Sequence, residues 1–247
     1  MDYKQIYNSC MPVLELLNPG VSAFIEAHGG DALREKLSVI YCRLEETGEH
    51  MNLTSLHGES SVLLHIFDSL SLAAQVERIL PRAAKMCDVG CGGGFPSLPL
   101  AAALPEIRLT SIDSTAKKLS FVSDCASAAK VLLNTIPARA EELPDAGYRN
   151  FFDGVTARAV ARLNILTELC MPLVAVGGYF LPMKTGEDEL LAAKNAIKVL
   201  GGECEDIVRY SLFSTTEKYD RVVFVIKKLR DAPGYPRKYA KIVKSPL

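Results

Sequence analysis

Four glycines in one short turn are the residues from which a ligand site can first be inferred. The segment from Lys85 to Pro96 reads KMCDVGCGGGFP, with glycine at positions 90, 92, 93 and 94. Glycine adopts positive φ and, having no Cβ, lets a ligand lie against the main chain. The alanine-rich apolar run from Leu98 to Leu104 predicts a helix, whose first amides can bind a carboxylate or a phosphate. The pattern therefore predicts a strand, a nucleotide-binding turn and a helix.

The spacing of these glycines narrows the choice of ligand. The dinucleotide fingerprint G-x-G-x-x-G fails, because Phe95 or Ser97 stands where its last glycine belongs. A phosphate-binding loop of the form G-x-x-x-x-G-K-[ST] does not occur in the sequence. What remains is G-x-G-x-G after Asp88, which is the usual first motif of enzymes that use S-adenosylmethionine.

A second carboxylate supports this cofactor. Asp113 ends the alternating segment IRLTSID, which predicts the next strand. At that position one side chain can accept hydrogen bonds from both ribose hydroxyls of an adenosine. The alternative is a structural glycine turn with Asp113 as a helix cap. The combination of Asp113 with the glycines favours cofactor binding, with Gly92 packed against the ligand.

The elements that must position these residues form an alternating series from about residue 84 onward. Strands are predicted near 85–89, 107–113, 131–136, 152–158, 177–183, 205–213 and 220–228, with helices between most of them. The last two strands follow each other directly and predict a hairpin. This is the seven-stranded, doubly wound α/β (Rossmann-like) sheet of S-adenosylmethionine-dependent methyltransferases, which binds ligands at the carboxyl ends of its strands.

Further polar residues follow the predicted strands. Glu141 comes after the third strand, Arg158 ends the fourth and Lys184 ends the fifth. Glu141 could reach an adenine, and Arg158 could pair with the methionine carboxylate or with an RNA phosphate. Alternatively, Glu141 and Arg158 form a surface ion pair.

The first 80 residues have helical periodicity and almost no strand signal, which predicts a helical cap. Within them His65 and Asp68 lie three residues apart on one helix, where a hydrogen bond between them could orient the imidazole for function. Alternatively, that hydrogen bond only pairs two polar side chains at a helix junction. We expect a cap over residues 1–80, a cofactor-binding domain over 81–230 and a basic tail over 231–247.

Length and composition indicate the class of protein and the cellular compartment in which we expect it. The chain has 247 residues and is 49% hydrophobic, enough for one full core with an appendage. It contains no apolar run as long as a membrane span and no signal-peptide core, so we expect a soluble cytoplasmic protein without a membrane. Its seven cysteines form no C-x-x-C pair, which indicates free thiols and no metal site.

Charge is distributed unevenly along the chain. The formal net charge is −1. Residues 227–247 contribute +6, from seven lysines and arginines against one aspartate, so the rest of the chain carries −7. A basic tail on an acidic body predicts a polyanionic partner, and Tyr235 and Tyr239 among these bases could stack on unpaired nucleobases. A solvated terminus is the alternative.

Nine short motifs follow one another along the chain. They are NLT (52–54), H-x-x-DSL (65–70), DVGCGGGFPSLPLA (88–101), IDSTAKKLSFV (112–122), ARAEEL (138–143), DGVTARAVARL (153–163), MKTG (183–186), DRVVFVIKK (220–228) and YPRK (235–238). In this order the set resembles the bacterial 16S ribosomal RNA guanine-N7 methyltransferases, the glucose-inhibited division protein B family. Cys91, the triple glycine and the missing glycine after YPRK depart from the family pattern.

The resemblance implies a role for individual residues. Cofactor contacts are expected at Gly90, Phe95, Ala140, Glu141 and Arg158, in addition to Gly92 and Asp113. The RNA side is expected at Asn52, His65, Asp68, Lys184, Arg237 and Lys238. The expected partner is 16S rRNA or the small ribosomal subunit, and we expect the protein to be a monomer.

The predicted chemistry requires no catalytic residue in the strict sense. Guanine N7 has a lone pair and no proton, so it can attack the sulfonium methyl without a general base. Catalysis would then consist of orientation and desolvation. Two alternatives stay open, namely a methyltransferase that acts on a small molecule or a protein, and a non-catalytic RNA-binding relative.

Overall fold

Seven strands build one sheet in the computed structural model, which describes residues 2–51 and 53–247. The strands are β1 (Lys85–Val89), β2 (Arg108–Asp113), β3 (Asn134–Pro137), β4 (Phe152–Arg158), β5 (Val174–Lys184), β6 (Gly202–Phe213) and β7 (Lys218–Lys228). Their order is β3-β2-β1-β4-β5-β7-β6. Strands β1 to β5 are parallel, whereas β7 runs antiparallel to both of its neighbours. The doubly wound sheet and its terminal hairpin are thus confirmed.

The prediction for the third strand began too early. It placed the strand at 131–136, whereas β3 spans Asn134–Pro137. Lys130 ends the preceding helix in the left-handed conformation with φ of 54°. The amide of Val131 then donates to the carbonyl of Ala126 at 3.0 Å. Because this bond closes the helix end, Val131 serves the helix and not the strand.

Helices cover both faces of the sheet and fill the N-terminal region. They are α1 (Tyr3–Leu17), α2 (Pro19–Ala27), α3 (Asp31–Met51), α4 (Gly58–Ser61), α5 (Asp68–Ile79), α6 (Ser97–Ala103), α7 (Ala116–Ala129), α8 (Leu163–Cys170), α9 (Asp188–Val199) and α10 (Tyr239–Lys244). A π-helical segment, Val62–Phe67, joins α4 to α5, and a 3₁₀ turn, Ala140–Glu142, follows β3. The N-terminal helices predicted from periodicity are present.

Two apolar clusters lie on opposite faces of the sheet, because successive strand residues point to opposite sides. On β1, Met86 belongs to one cluster and Cys87 to the other. The Met86 cluster also contains Leu37 of α3 and Phe67 of the π-helical segment, so the N-terminal helices share a core with the sheet. This shared core positions the residues of the cap helices against the carboxyl ends of the strands. The domain boundaries at 80 and 230 stay a prediction.

A membrane-spanning helix is absent among the described residues, 2–51 and 53–247. None of their helices combines the length and apolar character that crossing a membrane requires. Apart from positions 48–50, whose side chains the structure does not describe, no group of three or more His, Cys, Asp or Glu side chains in these residues is arranged to hold a metal ion.

Candidate cofactor and RNA site

A cavity of about 480 Å³ opens at the carboxyl ends of the parallel strands. It is lined by the last residues of β1, β2 and β4 and by the segment after β3. This is where a doubly wound sheet binds its ligands. All seven residues assigned to the cofactor from the sequence line this one cavity: Gly90, Gly92, Phe95, Asp113, Ala140, Glu141 and Arg158.

The glycine turn forms one wall from main-chain atoms. The amides of Gly90 and Cys91 both donate to the carbonyl of Ile112, at 2.7 and 3.0 Å, so the turn is bound to the end of β2. Gly92 has φ of +55°, and a Cβ built on it would meet no atom within 4 Å. Since Gly92 lines the cavity, that Cβ would extend into it. The turn is thus a cradle that a side chain would fill, which fits a ligand lying against the main chain.

Gly90 and Gly94 have a different role within the same turn. Gly90 has φ of +73°, and a Cβ there would lie 2.5 Å from the side chain of Val160. Gly94 has φ of +88°, and a Cβ would lie 2.5 Å from the side chain of Leu98. These two glycines are needed for close packing, and Gly90 also lines the cavity, whereas a side chain at Gly92 would meet open space.

Asp113 is held rigidly at the edge of the cavity. Its Oδ2 accepts the amide of Gly92 at 3.1 Å, and its Oδ1 accepts the amide of Thr115 at 2.8 Å. Thr115 is the residue before α7, so this bond fixes the turn that leads into the helix, but no side chain caps the helix itself and the alternative interpretation of Asp113 as a helix cap is wrong. Each carboxylate oxygen keeps a second lone pair for a ribose hydroxyl.

Arg158 joins the sheet to the N-terminal helices. Its Nη1 donates to the carbonyl of Leu64 at 2.7 Å and to Oδ2 of Asp68 at 3.0 Å, and its Nη2 lies 3.0 Å from Nδ1 of His65. The guanidinium lies 6.0 Å from the centre of the Phe95 ring. Arg158 therefore forms an ion pair with Asp68, and not the surface ion pair with Glu141. It also takes the place of a direct hydrogen bond between His65 and Asp68, because both side chains bond to its guanidinium instead.

His65 is neutral in this environment. Burial and the charge of Arg158 lower its pKa to about 3. Because Arg158 donates to Nδ1, the ring proton is on Nε2, which lies 2.7 Å from Oγ1 of Thr54. The ring also stacks on Phe95 with 4.6 Å between ring centres. His65 lines the cavity as a fixed, uncharged hydrogen-bond donor and stacking surface.

Asp68 is a buried support behind the cavity wall. Its side chain is 4% exposed and accepts the hydroxyl of Tyr210 at 2.7 Å as well as the guanidinium of Arg158. Nε of Arg221 lies 3.8 Å away. Asp68 acts through Arg158 and does not line the cavity. We name the set Thr54, His65, Asp68, Arg158 and Tyr210 the polar wall. His65 and Arg158 line the cavity, and the other three support them from behind.

Asp88 lies beneath the glycine turn and is 1% exposed. Ser97 donates its hydroxyl to Oδ2 at 2.5 Å, whereas Oδ1 has no hydrogen-bond partner among the described residues. Burial raises the pKa of Asp88 to about 6. Cys87 and Cys91, which flank it, are buried free thiols whose pKa burial raises, so neither is a thiolate near neutrality.

Lys184 is engaged inside the protein and not at the open side of the cavity. Its Nζ donates to the carbonyl of Ala161 and to Oε2 of Glu189, at 2.7 Å each. The same carboxylate oxygen accepts the amide of Leu163. Lys184 therefore holds the loop after β4, of which Val160 lines the cavity.

The basic tail divides into anchored and exposed residues. Arg237 donates from Nε at 2.7 Å and from Nη2 at 2.5 Å to Glu168, whose side chain is fully buried. Lys228 is 1% exposed and donates to Asn150 Oδ1 and to two carbonyls. Arg237 is thus a structural anchor in this arrangement, while Lys238, Lys241 and Lys244 are exposed. Asn52, the remaining RNA-side prediction, lies outside the described residues.

Several residues of the site escaped the sequence analysis. Thr54 and Tyr210 complete the polar wall, Glu168 anchors the tail, and Lys118 and Leu169 line the cavity. Thr54 and Lys118 lie in two of the named motifs, NLT and IDSTAKKLSFV, which assigned them no role. Tyr210, Glu168 and Leu169 gave no local signal because they reach the site by tertiary packing.

Solved structures share the fold at low sequence identity. A SAM-dependent O-methyltransferase from Thermotoga maritima has a TM-score of 0.51 and 13% identity, covering 76% of this chain and 72% of that one. NSun6 from Pyrococcus horikoshii has a TM-score of 0.54 and 14% identity, covering 66% of this chain and 52% of that one. At these identities the likeness concerns the fold alone.

Sequence comparison goes further than the fold. Ribosomal RNA small subunit methyltransferase G of Staphylococcus aureus is 41% identical over 219 residues, which are 87% of this chain and 90% of that protein. The protein of the same name from Limosilactobacillus fermentum is 40% identical over 224 residues, 88% of this chain and 91% of that protein. The family described as rRNA small subunit methyltransferase G matches residues 33–214. With the glycine turn, the carboxylates and the polar wall meeting at one cavity, the chain belongs to this family, GidB.

Proposed function

We propose that the protein transfers a methyl group from S-adenosylmethionine to N7 of a guanine in 16S rRNA. The observation that carries the proposal is the meeting of seven cofactor residues, chosen from the sequence, in one cavity beside the polar wall. Family membership supports a ribosomal RNA of the small subunit as the substrate. We further propose that the enzyme acts as a monomer in the cytoplasm.

We infer that each of these residues would contact a different part of the cofactor. Asp113 would accept the ribose hydroxyls, and the 3₁₀ turn with Ala140 and Glu141 would hold the adenine. Gly92 would let the ligand lie against the main chain, and the remaining N–H groups of Arg158 would face the methionine carboxylate. Bound S-adenosylmethionine supplies an electrophilic methyl group on its sulfonium sulfur.

The neutral His65 suits a target atom that carries no proton. Guanine N7 is an acceptor with a free lone pair, so its attack requires alignment and not deprotonation. His65 already accepts a hydrogen bond at Nδ1 and donates one from Nε2. Its pKa of about 3 leaves it a poor general base at neutral pH. His65 and Phe95 would then be positioning residues that shape the methyl-transfer end of the cavity and exclude water from it.

Transfer of tritium from labelled S-adenosylmethionine to RNA tests the proposal. Purified protein would be given 16S rRNA and small subunits that lack the modification, followed by nucleoside analysis of the product. We expect 7-methylguanosine. Label in another nucleoside would overturn the N7 assignment, and label only in protein or in small molecules would favour the alternative methyltransferase classes. RNA binding without transfer would favour a non-catalytic relative.

The pH dependence of the chemical step separates orientation from base catalysis. Single-turnover rates at saturating RNA should be level between about pH 6 and 9, where a histidine of ordinary pKa would titrate. His65→Gln keeps an acceptor and a donor, so it should lower the rate without changing the shape of the profile. A wild-type rate that rises through one ionisation near neutrality, and is level in His65→Gln, would identify His65 as a base.

A further inference from the structure

The C-terminal segment returns to the cofactor cavity. Tyr239, the first residue of α10, lines it together with Gly92, which is 147 positions earlier in the chain. The segment lies outside residues 33–214, which match the family. Tyr239 is 43% exposed, so its side chain is accessible to a ligand in the cavity that it lines.

Two anchors fix the position of this tyrosine. On one side of it, Arg237 binds the buried carboxylate of Glu168 through its amide at 3.0 Å and through its guanidinium. On the other side, Ile242 is fully buried in the apolar cluster that contains Ala140 and Leu169. The main chain at Tyr239 is therefore held by the fold, and its exposure is not that of a free terminus.

The anchors also show which end of the cavity Tyr239 closes. Ala140 and Leu169 line the cavity, and α10 packs on α8, the helix that carries Leu169 and that also contacts the 3₁₀ turn of Ala140. The 3₁₀ turn Ala140–Glu142 is where the proposed function places the adenine. An aromatic ring beside that turn can stack on a purine, and such stacking depends little on which base is present.

We propose that Tyr239 is a cofactor-binding residue that closes the adenine end of the cavity, and that the Arg237–Glu168 pair positions it. The inference rests on the proposed use of S-adenosylmethionine. It assigns to the tail a cofactor role that the charge pattern did not indicate, since the tyrosines among the basic residues had pointed to RNA. The exposed lysines of the same segment stay available for RNA.

Calorimetry with S-adenosylmethionine and with S-adenosylhomocysteine tests the proposal. Tyr239→Ala should lower the binding affinity for both ligands by roughly 5- to 100-fold, the usual range for loss of a base-stacking ring. Tyr239→Phe should bind like the wild type, because the ring is retained. Val243→Ala is the matched control, since Val243 is on the same helix, is 46% exposed and does not line the cavity.

A double-mutant cycle separates positioning from general damage to the structure. Arg237→Ala should lower cofactor affinity in the wild-type background and lower it little further in the Tyr239→Ala background. Additive losses would overturn the positioning role of Arg237.

Two results would overturn the assignment of Tyr239. One is unchanged cofactor affinity in Tyr239→Ala with an unchanged melting temperature. The other is weaker binding of 16S rRNA in Tyr239→Ala with the cofactor affinity unaffected, which would assign the ring to RNA. If the wild type binds neither ligand, the proposed function falls together with this inference, so the two failures are distinguishable.

Discussion

The two walls of the cavity are built in opposite ways. The glycine turn comes from one contiguous segment and contacts the ligand space mainly through its main chain, at positions such as Gly92. The polar wall is assembled from side chains far apart in the sequence, since Tyr210 and Asp68 are 142 residues apart. Its members also connect the N-terminal helices to the sheet through Arg158.

This difference predicts how each wall responds to mutation. A change at the ligand-facing surface of the turn should weaken cofactor binding and cost no more stability than the backbone strain that the substitution itself carries. A change in the polar wall should lower both, because the same hydrogen bonds hold the helices on the sheet and orient the cavity residues. The following experiments test that distinction.

The largest effect on cofactor affinity is expected at Gly92. Gly92→Val places a branched side chain in the cavity, and overpacking of this kind costs up to about 3 kcal/mol, or roughly 100-fold in affinity. Gly177→Val is the control, since Gly177 also has positive φ, +88°, and open space around a built Cβ, but does not line the cavity. Both variants carry similar backbone strain.

Calorimetry with S-adenosylmethionine and thermal melting would measure the two effects at Gly92 and Gly177. Equal melting temperatures with binding lost only in Gly92→Val would support the distinction. Unchanged affinity in a folded Gly92→Val protein would remove the glycine turn from the cofactor site.

Asp68→Ala should lower both stability and binding. It leaves Arg158 without its carboxylate partner, and breaking a buried ion pair costs about 3–5 kcal/mol of unfolding free energy. Tyr210→Phe removes one hydrogen bond to the same carboxylate and should cost about 1 kcal/mol. Glu35→Ala is the surface control, because the Lys4–Glu35 pair is more than half exposed and should contribute no measurable stability. Denaturant unfolding that shows no loss in Asp68→Ala would contradict the structural role of the polar wall.

The pH dependence of stability should have opposite signs for the two walls. His65 has a folded pKa of about 3 against an ordinary 6.5, so its contribution is present above pH 6.5 and is lost as the pH falls toward 3. Asp88 has a folded pKa of about 6 against 3.8, so its contribution is present below pH 3.8 and is lost as the pH rises through 6.

Urea unfolding from about pH 4 to 7 would separate these two contributions. His65→Gln should remove the destabilisation at the acid end of this range, and Asp88→Asn should remove the destabilisation at its neutral end. Parallel profiles for the wild type and both variants would contradict the assigned environments.

The smallest effect is expected from the exposed lysines, which belong to neither wall. Replacing Lys238, Lys241 and Lys244 by alanine should leave cofactor affinity unchanged and reduce the salt slope of RNA binding by up to about 0.7 for each lost contact on single-stranded segments. Arg237 is kept, because it binds Glu168. Lys194→Ala with Lys198→Ala on α9 is the control pair. A salt slope identical in the lysine variant and the wild type would exclude this surface from the RNA interface.

Much of the fold could be predicted because its signals are local. Alternating strands, the helical first 80 residues and the terminal hairpin follow from periodicity in short windows. The start of β3 could not be predicted, because Val131 has strand character but its amide closes the end of α7. Here a main-chain hydrogen bond outweighed the side-chain preference.

The cofactor wall could be predicted for the same reason, and the polar wall only in part. Gly92 and Asp113 are encoded by spacing within a few residues, and the structure brings them to within one hydrogen bond of each other. His65 and Asp68 were recognised as a pair. Their actual partner, Arg158, is 90 or more residues away, and the imidazole is neutral because it is buried beside the charge of Arg158.

The charge pattern shows most clearly what composition leaves open. Counting residues identified a basic tail, but not which of its cations were available. Arg237 and Lys228 meet acceptors supplied by α8 and the start of β5, whereas Lys238 meets solvent. The sequence alone determined the fold class, the glycine turn and the presence of a ligand site, because these depend on neighbouring residues. Tertiary structure decided the protonation of His65, the anchoring of the tail and the placement of Tyr239 in the cavity, because burial and partners are set only when distant segments pack together.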